Sequence, residues 1–575
     1  HNLDVLAGQE VMNSGSESTT MWGNRYPVSY DAERAFGMMH MYYSGDNIVN
    51  HGMSSTIGTP NRLNSYFGRL NYSLLDKYLF TATFRADGSS RFAPTHRWGY
   101  FPAAAFAWRL SDEKFLKDVN WINSLKMRLS YGTVGNDGIS ANLWRMSWTV
   151  PNNPAKYSIS EVMQNYYEPN STLANGNLKW ETTVTRNLGI DYSFFKNRLF
   201  GSIDIYKNST KDLLMITPIS AISGFTATYD NVGSTSNKGV EVSAGVAIIR
   251  KKDFNLNANL NVNVNRGKVD ELAPGINGLY KTQWGSSMTQ PNTGDYILKE
   301  GQPVGLVRGY TYDGWYTTDD FNYANGIYTL KQGVADIASG IIGTVYGTTA
   351  NKPGGQVAYP GVIKFKDIDG NGIINEADVD IIGDMNPKHT GGFNINGNFK
   401  NLDFALNFNW SYGNQVYNAE YLAAFYGSKE DGLYRNRLNY LSTAYRIYDV
   451  QNGQLVNVTD PTALNALNAN ATVFLPYHEN PVVSTLGIQD GSFLRLNTVT
   501  LGYSLPQQWM SRAGFKNVRV YASVYNALLF TKYQGLDPEV STNLNQGGAQ
   551  YPTPGLDWGA YPRARSFTFG LNIQL

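Results

Sequence analysis

Residues 253–266 read DFNLNANLNVNVNR, and their alternation decides the fold. Phe254, Leu256, Ala258, Leu260, Val262 and Val264 are apolar, and Asn255, Asn257, Asn259, Asn261, Asn263 and Asn265 lie between them. Side chains alternate across a strand, so one face of this segment is wholly apolar and the other is a row of amides. Residues 566–575 repeat the pattern, with Phe567, Phe569, Leu571, Ile573 and Leu575 against Ser566, Thr568, Gly570, Asn572 and Gln574. Residues 402–412, 240–248 and 518–524 follow it too. A soluble β-sandwich also alternates. Against it stand the long strands, of nine to sixteen residues, where soluble strands cluster near about five or six and membrane strands need about 9–11. The polar faces are rich in amides and hydroxyls, as suits a hydrated lumen. Aromatic residues such as Tyr192, Phe194, Trp410, Tyr412 and Tyr503 gather near strand ends, where lipid meets water. The expected fold is therefore all-β, a transmembrane antiparallel β-barrel.

Composition agrees with that reading. The chain has 575 residues with 57 glycines and 39 tyrosines, and only 16% are charged. The net charge of +1 leaves no electrostatic footprint for nucleic acid. The absence of cysteine excludes disulfides, thiolate metal sites and cysteine nucleophiles. No run approaches the ~18 apolar residues of a spanning helix, which leaves a membrane barrel open. The chain starts at His1 without an initiator methionine or a signal peptide, and reads as a piece of something longer.

About fourteen strands are expected, at 1–9, 62–74, 77–87, 98–110, 124–135, 178–193, 197–208, 235–249, 253–266, 391–399, 402–413, 491–504, 517–527 and 565–575. Tight turns at 75–76, 194–196, 250–252 and 400–401 fall on one side. Two longer connections on that side, 111–123 and 505–516, have room for a helical turn. On the other side lie 10–61, 88–97, 136–177, 209–234, 267–390, 414–490 and 528–564, all long except 88–97. Short periplasmic turns and long extracellular loops are the habit of outer-membrane barrels. The phase of 491–504 slips near Asn497, which predicts a β-bulge there.

Several blocks carry a resemblance: FTATFRADGSSRFAP (80–94), RWGYFPAAAFAWRLSDE (97–113), LKMRLSYGTVGNDGI (125–139), NLKWETTVTRNLGIDYSFFKNRLFGSIDIY (177–206), NKGVEV (237–242), SFLRLNTVTLGYSLP (492–506) and SFTFGLNIQL (566–575). In order, and over nearly the whole chain, they resemble the SusC/RagA-like transporters of the starch-utilisation type, a branch of the TonB-dependent transporters. That resemblance implies a 22-stranded barrel with an N-terminal plug. Residues 1–575 would be its C-terminal part, without the plug, eight strands and the segment that meets TonB. It also implies a bacterial outer-membrane location in contact with lipid and a SusD-like surface lipoprotein as lid. TonB would drive import of an oligosaccharide or, in some members, a peptide. An interior of Asn, Ser, Thr, Tyr and Gly fits such cargo, although the same amides could simply hydrate the wall or bond the plug.

One stretch has sharper chemistry. Residues 367–378 read DIDGNGIINEAD, with oxygen-bearing side chains at Asp367, Asp369, Asn371, Asn375 and Asp378. Gly372 suits the sharp turn and Ile373 can offer its carbonyl, as in calcium loops. The expected ion is a structural Ca²⁺ within the long extracellular loop 267–390, and residues 377–382 could start a helix. The bland alternative is a solvated Asp/Asn/Gly turn. The histidines His1, His40, His51, His96, His389 and His478 show no metal spacing. Neither a nucleophile–base pair nor a carboxylate pair stands out, so no catalytic residue is assigned and the protein is not read as an enzyme.

Two other classes remain. A membrane-embedded hydrolase would need His, Ser and Asp clustered on adjacent strand ends, and an adhesion barrel would need neither plug nor energy coupling. The loops 267–390, 414–490 and 528–564 are the expected contacts of a surface partner, with Tyr421, Phe425, Tyr426, Tyr434 and Tyr440 as candidate anchors.

Overall fold

The computed structural model describes residues 1–23, 29–38, 51–149, 157–159, 162–164, 167–284, 294–425, 439–476, 480–512, 514–542 and 552–574. A long strand forms at each expected segment. These are β1 (Asn2–Ser14), β2 (Asn61–Leu74), β3 (Tyr78–Ser89), β4 (Trp98–Arg109), β5 (Ile122–Asn136), β6 (Glu181–Phe194) and β7 (Leu199–Lys211). They continue as β8 (Ser234–Lys251), β9 (Phe254–Glu271), β10 (His389–Phe399), β11 (Leu402–Tyr412), β12 (Phe493–Ser504), β13 (Asn517–Thr531) and β14 (Ser566–Gln574). The fourteen make one sheet in sequence order. Among the described residues, no helix is long and apolar enough to cross a membrane.

By contacts the chain divides into two compact units. The first comprises 1–108, 129–186 and 209–233. Here β1 to β4 pair antiparallel in succession. Phe92, Phe101, Ile139, Leu178 and Trp180 form a small core above the sheet, where the Trp180 indole donates to the carbonyl of Arg97 at 2.9 Å. The second unit comprises 109–128, 187–208 and 234–575, and its strands β8 to β14 are likewise antiparallel neighbours.

The apolar row of β14 is uncovered among the described residues. Phe567, Phe569, Leu571 and Ile573 are 64, 81, 56 and 51% exposed. In a sandwich such a row would lie under a second sheet; here it is bare, as a lipid-facing strand requires. The bulge falls where the phase slips: Asn407 faces Thr498 and Phe408 faces Leu496, so Asn497 is skipped. The ladder to β13 skips it as well. At the tight turn after β2, Leu75 and Asp76 have φ of 55° and 56°, the left-handed pair of a twist-matched hairpin.

The long connections are not open loops. Segments of 267–390 and 414–490 share a core that includes Tyr316, Tyr328, Tyr359, Ile374, Phe425, Leu464 and Phe474. This corrects Phe425 as an expected anchor for a surface partner and leaves Tyr421 and Tyr440 partly buried. Phe425 is buried, with Tyr421 at 4.6 Å and Tyr440 at 4.7 Å between ring centroids. Connections of this length bury their own aromatic side chains, because exposed backbone and rings over so many residues would not hold one conformation. Tyr426 and Tyr434 lie outside the described residues.

Candidate functional site: an amide wall and an acidic loop

The polar face of β9 meets matching amides on its neighbour. Asn255 Nδ2 donates to Asn398 Oδ1 at 3.2 Å, and Asn259 Nδ2 donates to Asn394 Oδ1 at 2.9 Å. At the bulge, Asn497 Nδ2 donates to Asn409 Oδ1 at 2.6 Å. An amide carries two donor hydrogens and two lone pairs, so each cross-strand bond still leaves groups free to meet a polar cargo. A cavity of about 520 Å³ opens on this wall, lined among others by Asn261, Asn409, Asn414, Gln415 and Glu539. It can hold an uncharged, hydroxyl-rich or amide-rich molecule. Among the described residues that line it, no group is placed as a nucleophile with its base.

Behind that cavity lies Arg495, which was not singled out in the sequence. Its side chain is 1% exposed on β12, with Nη2 2.6 Å from Asp537 Oδ1. Its Nε lies 2.8 Å from Glu539 Oε2, off the hydrogen-bond direction. Nη1 donates to Asn526 Oδ1 at 2.5 Å. Arg563 approaches the same carboxylates, at 3.0 Å from Glu539. This cluster fastens part of 528–564 to the wall, helped by a hydrogen bond from the Tyr533 hydroxyl to Asp557. The signal was an arginine inside an otherwise apolar and hydroxyl-rich strand, but its partners are 42 and 44 residues away.

A second buried carboxylate, Asp295, accepts the backbone N–H groups of Gln283 at 2.7 Å and Trp284 at 2.8 Å. Burial pushes its pKa up to about 6 from 3.8. The folded state therefore holds this proton more tightly than the unfolded chain. The stabilising contribution is complete below the unfolded value and is lost as pH rises through about 6. Amide protection of 281–284 and 295–298 is expected to weaken from pH ~5 to pH ~7.5. Asp295→Asn should flatten that dependence, as read by hydrogen exchange; an unchanged slope would remove Asp295 as its source.

In the acidic loop, carboxylate oxygens of Asp367, Asp369 and Asp378 lie within 4.8 Å of one another. Asp367 accepts from the N–H groups of Gly370 and Gly372, both at 2.8 Å. The Gly372 bond, with its neighbours, holds its pKa below the usual carboxylate range. Gly370 and Gly372 have φ of 73° and 85°, which favours glycine at both. Asp369 Oδ1 accepts from Asn371 N at 3.1 Å, and Asn371 Oδ1 from Ile373 N at 2.8 Å. Asp378 is fully buried and accepts from Ile368 N at 2.6 Å and Asn375 N at 2.8 Å. Asn375 Oδ1 accepts from Ala377 N, while its Nδ2 donates to the Ile373 carbonyl at 3.0 Å. Of the sequence-read residues, Asp367, Asp369 and Asp378 thus converge, while Asn371 Oδ1, Asn375 Oδ1 and the Ile373 carbonyl are engaged by hydrogen bonds within the loop.

The helix expected over residues 377–382 does not form. Glu376–Asp378 makes one 3₁₀ turn, and Asp380–Asp384 is a strand paired with Leu306–Gly309. Ile381 and Ile382 are β-branched and find an extended partner, which outweighs a short helical pattern. Ile373–Ile374 pairs parallel with Asp336–Ile337 and puts Ile374 into the core.

The family model described as TonB dependent receptor-like, beta-barrel matches residues 4–527. The chain belongs to the TonB-dependent receptor β-barrel family. Among relatives of this TonB-dependent receptor barrel is TonB-dependent receptor P3 of Formosa agariphila, 33% identical over 579 residues, covering all of this chain and 50% of the relative. TonB-dependent receptor SusC of Bacteroides thetaiotaomicron is 32% identical over 521 residues, covering 90% of this chain and 44% of that protein. The structure of the RagAB peptide transporter superposes with a TM-score of 0.71 at 23% identity, over 99% of this chain and 53% of that one, a likeness of fold. The TonB-dependent receptor chain is thus of SusC/RagA type and an outer-membrane protein, and it spans about half the length of the relatives it matches. Among its histidines, His389 accepts from the Trp410 indole at 3.0 Å on the wall, while His40 and His478 lie outside the described residues.

Proposed function

We propose that the whole protein imports oligosaccharides across the outer membrane, with TonB as the source of drive and a SusD-like surface lipoprotein closing the outer side. The observation that carries the substrate class is the amide wall. Its neutral donors and acceptors match sugar hydroxyls, and the face offers little fixed charge to a highly charged ion. Peptide import is the second reading. The wall's donors would serve a peptide backbone equally well, and the RagAB protein that shares the fold is named for peptides. Deletion of the gene should abolish growth on one class of neutral oligosaccharide, and the lipoprotein should copurify with the complete transporter. Loss of peptide uptake alone would overturn the sugar reading; unchanged uptake of every oligomer would overturn import altogether.

The proposal includes a structural Ca²⁺ held by Asp367, Asp369, Asn371, Asn375, Asp378 and the carbonyl of Ile373. The fit rests on the donor set: three carboxylates in one place, with oxygen ligands only, as a hard cation of this size prefers. Calcium there would supply charge neutralisation and order to the loop. The residues themselves set its turn and tie Ile374 to the core.

A further inference from the structure

The ends of β6 to β11 on the short-turn side carry a repeated pairing of cations with aromatic rings. The turn after β6 holds Phe195, Lys196 and Arg198; the end of β8 and its turn to β9 hold Arg250, Lys251 and Lys252; the turn between β10 and β11 holds Lys400. These turns contain one carboxylate, Asp253. The adjoining 110–121 carries Lys114 and Lys117 against Asp112, Glu113 and Asp118, too little to cancel the excess. Among the described residues, none of the six turn cations is ion-paired. By contrast, Lys126 and Arg128 in the same unit are neutralised by Asp191 and Asp204.

The rings sit at the same level. Trp121 stacks on Phe195 at 5.9 Å and tilts against Phe194 at 5.2 Å. Phe254 meets Phe399 edge-on at 5.8 Å, and Lys400 lies 5.6 Å over the Phe399 ring. Trp121, Phe195 and Phe399 are each about half exposed, although they end strands whose apolar faces are bare. A groove of about 660 Å³ runs between Trp121 and Phe195 and is bordered by Lys196, Arg198 and Arg250. Arg250 is fixed there by donating to the carbonyls of Lys196 at 3.2 Å and Asn197 at 2.8 Å. A guanidinium has five N–H groups, so donors remain for a further acceptor.

Half-exposed rings beside an apolar face mark the depth of the lipid headgroups, and unpaired cations there attract anionic ones. We propose that this arc of turns binds the phosphodiester headgroups of anionic phospholipids in the inner leaflet, with the groove between Trp121, Phe195 and Arg250 as its principal seat. The site rests on the membrane-barrel architecture and is independent of what is transported. An acidic protein segment is disfavoured because the rings beside the cations continue a face built for acyl chains.

The test uses the full-length protein in phosphatidylcholine nanodiscs containing a minority of phosphatidylglycerol, followed by native mass spectrometry of retained lipid. Phosphatidylglycerol should be retained over phosphatidylcholine by about tenfold in the wild type, and the preference should fall close to one in K196Q/R198Q/K251Q/K252Q, which leaves Arg250 in place. The wild-type preference should also fall with added salt, a readout that does not depend on the variant's folding. Equal retention of the two lipids by the wild type would overturn the proposal. So would full competition by inorganic phosphate, which would make the groove a plain anion site. A photocrosslinker at position 195 that attaches to protein instead of lipid in intact membranes would overturn it in favour of a protein partner.

Discussion

Alanine in place of Arg495 should release residues 533–542 from the wall and leave the strands in place. The guanidinium is 1% exposed and is approached by Asp537, Glu539 and Asn526. Its removal leaves two carboxylates, of which Asp537 is itself buried, with only the half-exposed Arg563 as a cation. Breaking a buried ion pair from one side costs about 3–5 kcal/mol, more than a single loop segment can absorb without opening. Proteolysis and hydrogen exchange of 528–564 in the complete protein are the measurements, with heat-modified mobility in detergent reporting on the barrel. Lysine should restore only part of the protection, because one ammonium cannot reproduce the fork that meets Asp537, Glu539 and Asn526 together. Arg495→Met combined with Asp537→Asn and Glu539→Gln should recover more than Arg495→Ala alone, since no unpaired charge is then left inside. Wild-type protection of 528–564 in Arg495→Ala would show that the segment is held elsewhere.

What could be read in the chain depended on whether a residue's environment repeats. Along β9 the lipid side and the polar side impose a period of two, so Phe254 to Val264 and Asn255 to Asn265 announce both faces at once. The bulge at Asn497 was legible as a slip in the same period. Strand ends were less so. β1 runs on to Ser14 and β9 to Glu271, because backbone pairing with β2 and β8 continues after the apolar pattern has stopped. The body formed by 267–390 and 414–490 has no period to read. Tyr316, Tyr359, Leu464 and Phe474 meet from distant turns, so Phe425, which looked like a partner's anchor, proved to be core, with Tyr421 and Tyr440 partly buried against it. The strand at Asp380–Asp384 was hidden for the same reason, its partner Leu306–Gly309 lying more than seventy residues upstream. In the acidic loop the clustering of Asp367, Asp369 and Asp378 was legible because all three are local in the sequence. The use of Asp378 as a buried cap was not, since burial depends on the surrounding core.

Calcium should slow proteolysis within 331–384 of the complete protein, magnesium should do so less, and a chelator should abolish the effect. Oxygen donors in this number suit a cation that accepts six to eight ligands, whereas Mg²⁺ demands a tighter octahedron and keeps its water. Which substitution to make is a question of what each carboxylate does without an ion. Asp378 accepts from the backbone at Ile368 and Asn375, so Asp378→Ala removes the acceptor of two part-buried N–H groups and loosens the loop whether or not calcium is present. Asp367 has a similar double duty toward Gly370 and Gly372. Asp369 is different: both of its oxygens are bonded only to Asn371, at 3.1 Å and 2.9 Å, on the exposed side of the turn. Asp369→Asn keeps an acceptor for that backbone N–H and removes one charge, so it should leave cleavage in chelator at the wild-type rate and erase most of the protection that calcium confers. Cleavage equally fast with calcium and with chelator in the wild type would mean that the three carboxylates shape a turn and hold no ion. Faster cleavage of Asp369→Asn in chelator would mean that its charge serves the turn itself, since the metal-free loop is the state in which only those hydrogen bonds remain.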